Sequence, residues 1–264
     1  MTPTTINQLI AGIGGGHVTA FFLVLARVAP LFWVAPMFSS KLVPGKVKVV
    51  VAIALSIGLT PVAAHGQPIP GGPLEVAGLI AEGMLVGLGF AFILALLTAA
   101  VQAAGTIIDA VSGMSLGGML DPVNGAQGGV LTQAYSLVGL LIFIAIGGDA
   151  WMLRGLGRTF QLVPLTRGPN LTLLSASAVQ TFGQVFVSAV ELAAPAMLAL
   201  TITDVSFGMV SRVMPQLNLF AVGFPVKIGV GLLVFATTLP FLGGWISDQM
   251  VNSVGSALHA LRVA

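Results

Sequence analysis

The chain has 264 residues, ten of them Lys or Arg and eight Asp or Glu, so 7% are charged where a soluble globular domain carries about 25%. Hydrophobic residues make up 56%, the mean hydropathy is +1.05, and the net charge is only +2. So few charges cannot cover a soluble protein of this size, which excludes a cytosolic enzyme, a nucleic-acid binder and a disordered chain and points to an integral membrane protein. The absence of cysteine excludes disulfides, thiolate nucleophiles and cysteine metal sites.

Residues 1–26 contain no Lys or Arg, so they cannot form the basic start of a cleavable signal peptide. The charge-free stretches place hydrophobic segments at about 18–38, 47–64, 76–104, 130–148, 178–203 and 222–246, each compared with the roughly 20 apolar residues that a spanning helix needs. Turn chemistry lies between them, at Pro68-Ile-Pro-Gly-Gly-Pro73, in the glycine-rich stretch 105–129 and from Pro164 to Pro169. No hydrophilic linker divides the chain. The expectation is therefore all-α: one membrane-embedded domain over 1–264, built of helical hairpins with broken, proline-kinked helices.

Lys41, Lys46 and Lys48 put the first loop in the cytoplasm, yet Arg154, Arg158 and Arg167 then fall on the wrong side of simple alternation. The conflict disappears if 76–104 is a hairpin or re-entrant segment that crosses an even number of times. Pro30, Pro36, Pro195, Pro215, Pro225 and Pro240 fall in or near the segments, where each removes a backbone donor. Gly87, Ala91, Ala95, Ala99 and Ala103 form a stripe of small residues that lets another helix approach, either within the chain or from another subunit.

Ionisable groups stand inside the apolar segments. Arg27 lies in 18–38, Glu191 in 178–203, and Asp204 and Arg212 flank the stretch before Pro215. A charge at mid-bilayer costs about 2.5–3.5 kcal/mol, so such groups face a bundle interior, a partner or a wet cavity. They read as internal ion pairs or snorkelling side chains, or as part of a translocation path. The stretch 105–129 is rich in Gly, with Met114, Leu116, Met119 and Leu120 interspersed, and reads as a plug, a lid or a plain turn. Met250, Val254, Leu258 and Leu261 mark a C-terminal amphipathic helix.

Gly113-Met-Ser115-Leu-Gly117 matches a serine-hydrolase elbow, but no strand precedes it and no His lies in an apolar segment. No zinc, Walker or carboxylate motif occurs, so no catalytic group, metal or cofactor is expected and the chain is not read as an enzyme. Asn170-Leu-Thr172 fits a glycosylation sequon. Arg27-Val-Ala-Pro30 with Pro44-Gly-Lys46, and Arg212-Val-Met-Pro215 with Pro225-Val-Lys227, form a faint internal echo. Broken-helix repeats of that kind keep a small-solute secondary transporter open.

Three blocks carry a family resemblance. The first runs from Phe22 to Pro61 with Arg27, Pro30, Phe38-Ser-Ser40 and Val43-Pro44; the second joins Gln102-Ala-Ala-Gly105 to Ile108-Asp109, Gly113 and Asp121-Pro122. The third and most specific spans Asp204 to Gly231, with Gly208-Met209, Ser211-Arg212, Pro215-Gln216-Leu217-Asn218, Phe220 and Pro225-Val-Lys227. On these residues the chain resembles the FliR family of flagellar biosynthetic proteins, of bacterial type III export, which is related to the T component of virulence type III secretion. It departs from the family pattern at Thr106, Met114 and Gly148-Asp-Ala-Trp151.

The resemblance implies a non-catalytic subunit of the export gate. It would join P-like and Q-like subunits into a channel for unfolded flagellar proteins, beside other membrane proteins of the export apparatus and membrane lipid, with no nucleic acid involved. It implies a multi-pass protein of the bacterial inner membrane, in the flagellar basal body, with bent helical hairpins. It puts the channel plug on Gly113, Met114, Gly117, Gly118 and Met119, and assembly on Arg27, Glu191, Asp204, Arg212, Gln216, Asn218 and Lys227.

Overall fold

Long runs of Ala, Leu, Val and Ile with few breakers form seven helices among the described residues of the computed structural model. It describes residues 3–35, 38, 43–65, 67, 69–70, 72–114, 129–216 and 218–261, with the side chains of 3–15, 219 and 220 outside the description. The helices are α1 (Pro3–Val34), α2 (Gly45–Ala63), α3 (Pro73–Ser112), α4 (Val130–Ala145), α5 (Gly148–Leu162), α6 (Leu171–Val213) and α7 (Leu219–Ala260). No strand occurs among the described residues. The chain is an all-α, multi-pass membrane-type protein: α1 from Gly16, α2, α3, α6 and α7 are each long and apolar enough to span.

Two expectations are corrected here. Residues 76–104 are not a hairpin, because α3 runs unbroken for 40 residues. Nor is the glycine-rich stretch irregular from its start, because α3 continues through Gly105 to Ser112. Gly105 is tolerated in the helix because a neighbour needs its missing side chain: a Cβ there would stand 2.7 Å from the Cα of Thr132 in α4. Several prolines stand within the helices. Pro30, Pro61, Pro195, Pro225 and Pro240 all lie inside them. Pro36, Lys41 and Arg262 lie outside the described residues.

The chain groups into two compact units, the first formed by Met1–Ala95, Gly148–Thr181 and Met250–Ala264. In it α1 and α3 cross at Gly87, where any Cβ would run into the Arg27 carbonyl. Ala91 is fully buried four residues on, so this part of the small-residue stripe packs within the chain. Helix α5 follows the same logic. Met152, Leu156 and Phe160 recur every fourth position and are buried, whereas Arg154 and Arg158 are exposed. A Cβ at Gly155 would lie 2.6 Å from the Phe90 ring. The end of α7 buries Met250 and Val254, with Leu258 half-buried and Leu261 buried just beyond the helix, in keeping with the amphipathic spacing.

Helix α2 shows an inverted pattern. Its buried residues are Ala52, Ser56, Thr60 and Ala63, and the two hydroxyls bond back to Ala52 O (2.7 Å) and Ser56 O (2.6 Å). Its large aliphatics face outwards, with Val50, Ile57 and Val62 all exposed.

The second unit comprises Leu96–Gly147 and Phe182–Gln249. Its core joins α3, α4, α6 and α7 through Val101, Ile108, Leu131, Tyr135, Leu200 and Leu242. Gly139 admits the Val101 side chain, with a Cβ contact of 3.0 Å. The Tyr135 ring packs edge-on against Phe235 at 4.8 Å.

Candidate functional site

A buried, hydrogen-bonded polar cluster lies where the glycine-rich stretch leaves α3 and rejoins α4. Helix α3 ends at Ser112, and Gly113 follows with φ +80°, a left-handed conformation that glycine adopts without strain. Asp109, one turn earlier, is 1% exposed. Its carboxylate accepts from the Leu131 amide (3.1 Å), the Thr132 amide (2.7 Å) and the Thr132 hydroxyl (2.5 Å). It thus caps the first turn of α4, where free amides and the positive end of the helix dipole favour an anion.

Gly129 is pressed against the same carboxylate, which leaves no room for a Cβ. The last turn of α3 and the first turn of α4 are therefore clasped, and the loop between them is closed at its base. Of the expected plug residues, Gly113 and Met114 are described. Met114 is buried in the core beside Ile108 and Leu131. Gly117, Gly118 and Met119 lie outside the described residues, as do Ser115 and Asp121. Asp109 is the residue that the site list drawn from sequence missed. An acid three residues before a helix end, with Gly-Val-Leu-Thr opening the next helix, is its only local signal.

Arg27, read from sequence as ion-paired, snorkelling or on a translocation path, meets backbone carbonyls. It is 1% exposed, and no acid among the described residues pairs with it. One terminal nitrogen donates to the carbonyls of Thr159 (3.2 Å) and Val163 (2.7 Å), at the C-terminal end of α5. These carbonyls carry the negative end of the helix dipole and so serve as the counter-charge, and that of Thr159 also accepts from the Val163 amide (2.9 Å). The guanidinium also lies 4.7 Å from the centre of the Phe160 ring.

The remaining expected residues lie along α6 and α7. Asp204 and Lys227 form the ion pair between these helices, at 2.9 and 3.0 Å through both carboxylate oxygens. Arg212 ends α6, Gln216 sits in the turn, and the Asn218 side chain accepts from the Ala221 amide (3.3 Å) to cap α7. Arg212, Gln216 and Asn218 are exposed, so the third block of the resemblance is the tip of a helical hairpin. Glu191 is exposed near the middle of α6.

The internal echo does not hold in three dimensions. Arg27 is buried within α1, whereas Arg212 is exposed at a helix end and Pro215 lies in a turn. His17, His65 and His259 are exposed, and no group of His, Asp or Glu among the described residues could hold a metal. The sequon at Asn170 has a structural use, since its side chain caps α6 by accepting from the Thr172 and Leu173 amides at 3.1 Å.

Residues 18–253 match the protein family described as bacterial export proteins, family 1. The chain belongs to that family. It is 28% identical over 228 residues to flagellar biosynthetic protein FliR of Pectobacterium carotovorum subsp. carotovorum, covering 85% of this chain and 86% of the relative. It is 30% identical over 219 residues to FliR of Bacillus subtilis (81% and 84%). It is also 30% identical over 224 residues to surface presentation of antigens protein SpaR of Salmonella typhimurium (83% and 83%). The FliR resemblance read from the three sequence blocks is thus upheld, and all three blocks lie within or overlap the matched residues.

Proposed function

We propose that this chain is a non-catalytic subunit of a bacterial type III export gate, flagellar in kind, acting as one domain in the inner membrane. With P-like and Q-like subunits it forms a channel for unfolded export substrates, and the loop after Gly113 acts as the plug. The observation that carries this reading is the extent of uncovered apolar surface. At 1.5 Å per residue, the 43 residues of α6 rise about 65 Å, against about 30 Å for a hydrocarbon core. Large exposed hydrophobics run along all of it, from Leu171 through Phe186 and Ile202 to Val213. Lipid covers at most about half of such a helix, and other protein must cover the rest. The plug assignment draws on the closed loop base at Asp109 and on the burial of Met114.

Deletion of the gene is expected to abolish flagella, and the tagged chain is expected to bring down P-like and Q-like subunits in mild detergent. Intact motility after deletion would contradict the flagellar reading. The names of the SpaR relatives keep a virulence system as the second reading, which loss of secretion with motility retained would favour.

A further inference from the structure

A cavity of about 410 Å³ opens between α4, α6 and α7 in the second unit, and nothing above assigns it a role. Its lining includes Tyr135, Glu191, Pro195, Thr238, Phe241 and Trp245. Glu191 is the only charged residue there, and it makes no hydrogen bond or ion pair among the described residues. Pro195 has no amide hydrogen, so the carbonyl of Glu191, four residues earlier, lacks its ordinary helical donor. Glu191 therefore brings a carboxylate to the cavity, and its backbone carbonyl is without its ordinary helical donor. The Tyr135 and Thr238 hydroxyls lie 3.3 Å apart in the same wall. Tyr135, Phe241 and Trp245 add aromatic surface, which favours a cation with an alkyl stem.

The surroundings of Glu191 on α6 point to the source of the cation. Phe186, Val187, Val190 and Leu198 are exposed apolar side chains near it on the same helix, a face that an apolar helix bearing one base would cover while pairing that base with the carboxylate. We infer that this cavity is a socket for a Lys or Arg side chain of a neighbouring subunit, whose apolar helix covers the exposed face of α6 and pairs its one base with Glu191.

The inference rests on the subunit reading above. Its test uses the complex purified through this chain, with a photo-reactive phenylalanine analogue at Phe241, which is 77% exposed at the cavity. The expected cross-link joins a peptide of a different subunit, within one helical turn of a Lys or Arg. Glu191→Lys is expected to lower recovery of that subunit at least about tenfold, and Glu191→Gln less. Changing the cross-linked base to Glu is expected to restore recovery in the Glu191→Lys background, which a merely misfolded variant would not allow. Cross-links to phospholipid only or to a second copy of this chain would overturn the socket while leaving the subunit reading intact. So would wild-type recovery with Glu191→Lys. A wild-type chain that brings down no other subunit would overturn both.

Discussion

Arg27 and Asp109 have matching roles at opposite helix ends. The cation meets the carbonyls that close α5, and the anion meets the amides that open α4. Arg27→Met removes the guanidinium donor from the Val163 carbonyl and the second donor from that of Thr159, which keeps the Val163 amide, and is expected to cost about 1–3 kcal/mol, read as a lower Tm in detergent. Arg27→Lys is expected to rescue only part of this, because an ammonium cannot lie flat on Phe160. A wild-type Tm for Arg27→Met would contradict the capping role. Asp109→Asn turns an acceptor oxygen into a donor facing the Leu131 and Thr132 amides. It is expected to cost about 2 kcal/mol and to speed proteolysis within 113–129 about tenfold, with unchanged proteolysis as the contrary result. Sequence located Arg27 as buried because apolar residues flank it on both sides. It could not supply the partner, because backbone carbonyls carry no sequence signature. Asp109 escaped for the same reason: its partners are amides about twenty residues away.

The long helices are legible as apolar segments: all six expected segments coincide with helices, α3, α6 and α7 with wider bounds and α4 with a shorter one. Two signals misled. The Lys and Arg distribution pointed to a hairpin over 76–104, and the glycines from Gly105 pointed to a loop. At Gly105 tertiary contact overrides local propensity, since α4 packs where its side chain would stand, as α1 does at Gly87. The expectation is a contrast between glycines of one helix. Gly87→Ala forces a Cβ into the Arg27 carbonyl and should cost about 1–3 kcal/mol. Gly78→Ala meets nothing within 4 Å and should gain up to about 1 kcal/mol through helix propensity alone. Thermal unfolding of the two variants side by side checks this, and equal shifts would contradict the close crossing. Helix α5 was missed although its signal was available, in Met152, Leu156 and Phe160 spaced by four opposite Arg154 and Arg158. The arginines were read as loop charges when they mark the outer face of a packed helix.

For the whole molecule, low charge reports cover by protein as well as by lipid. Helices α3, α6 and α7 have 40, 43 and 42 residues, each about twice what a bilayer core takes up, and their apolar faces run their length. Family membership was legible because the block from Arg212 to Lys227 forms one hairpin tip whose turn and cap fix its sequence. Partners were not legible from the chain, because an exposed apolar face does not name what covers it. Deleting 113–119 is expected to raise ion passage through the assembled complex, and an unchanged barrier would count against the plug. Arg212→Ala, at an exposed helix end, should lower complex yield more than it alters ion passage, and wild-type yield would defeat that role. The most direct test of the subunit account is the mass of the species that the tagged chain brings out of the membrane in mild detergent. The account predicts a stable assembly well above the 26.9 kDa of the chain, containing P-like and Q-like subunits. A chain that emerges alone at 26.9 kDa would contradict it.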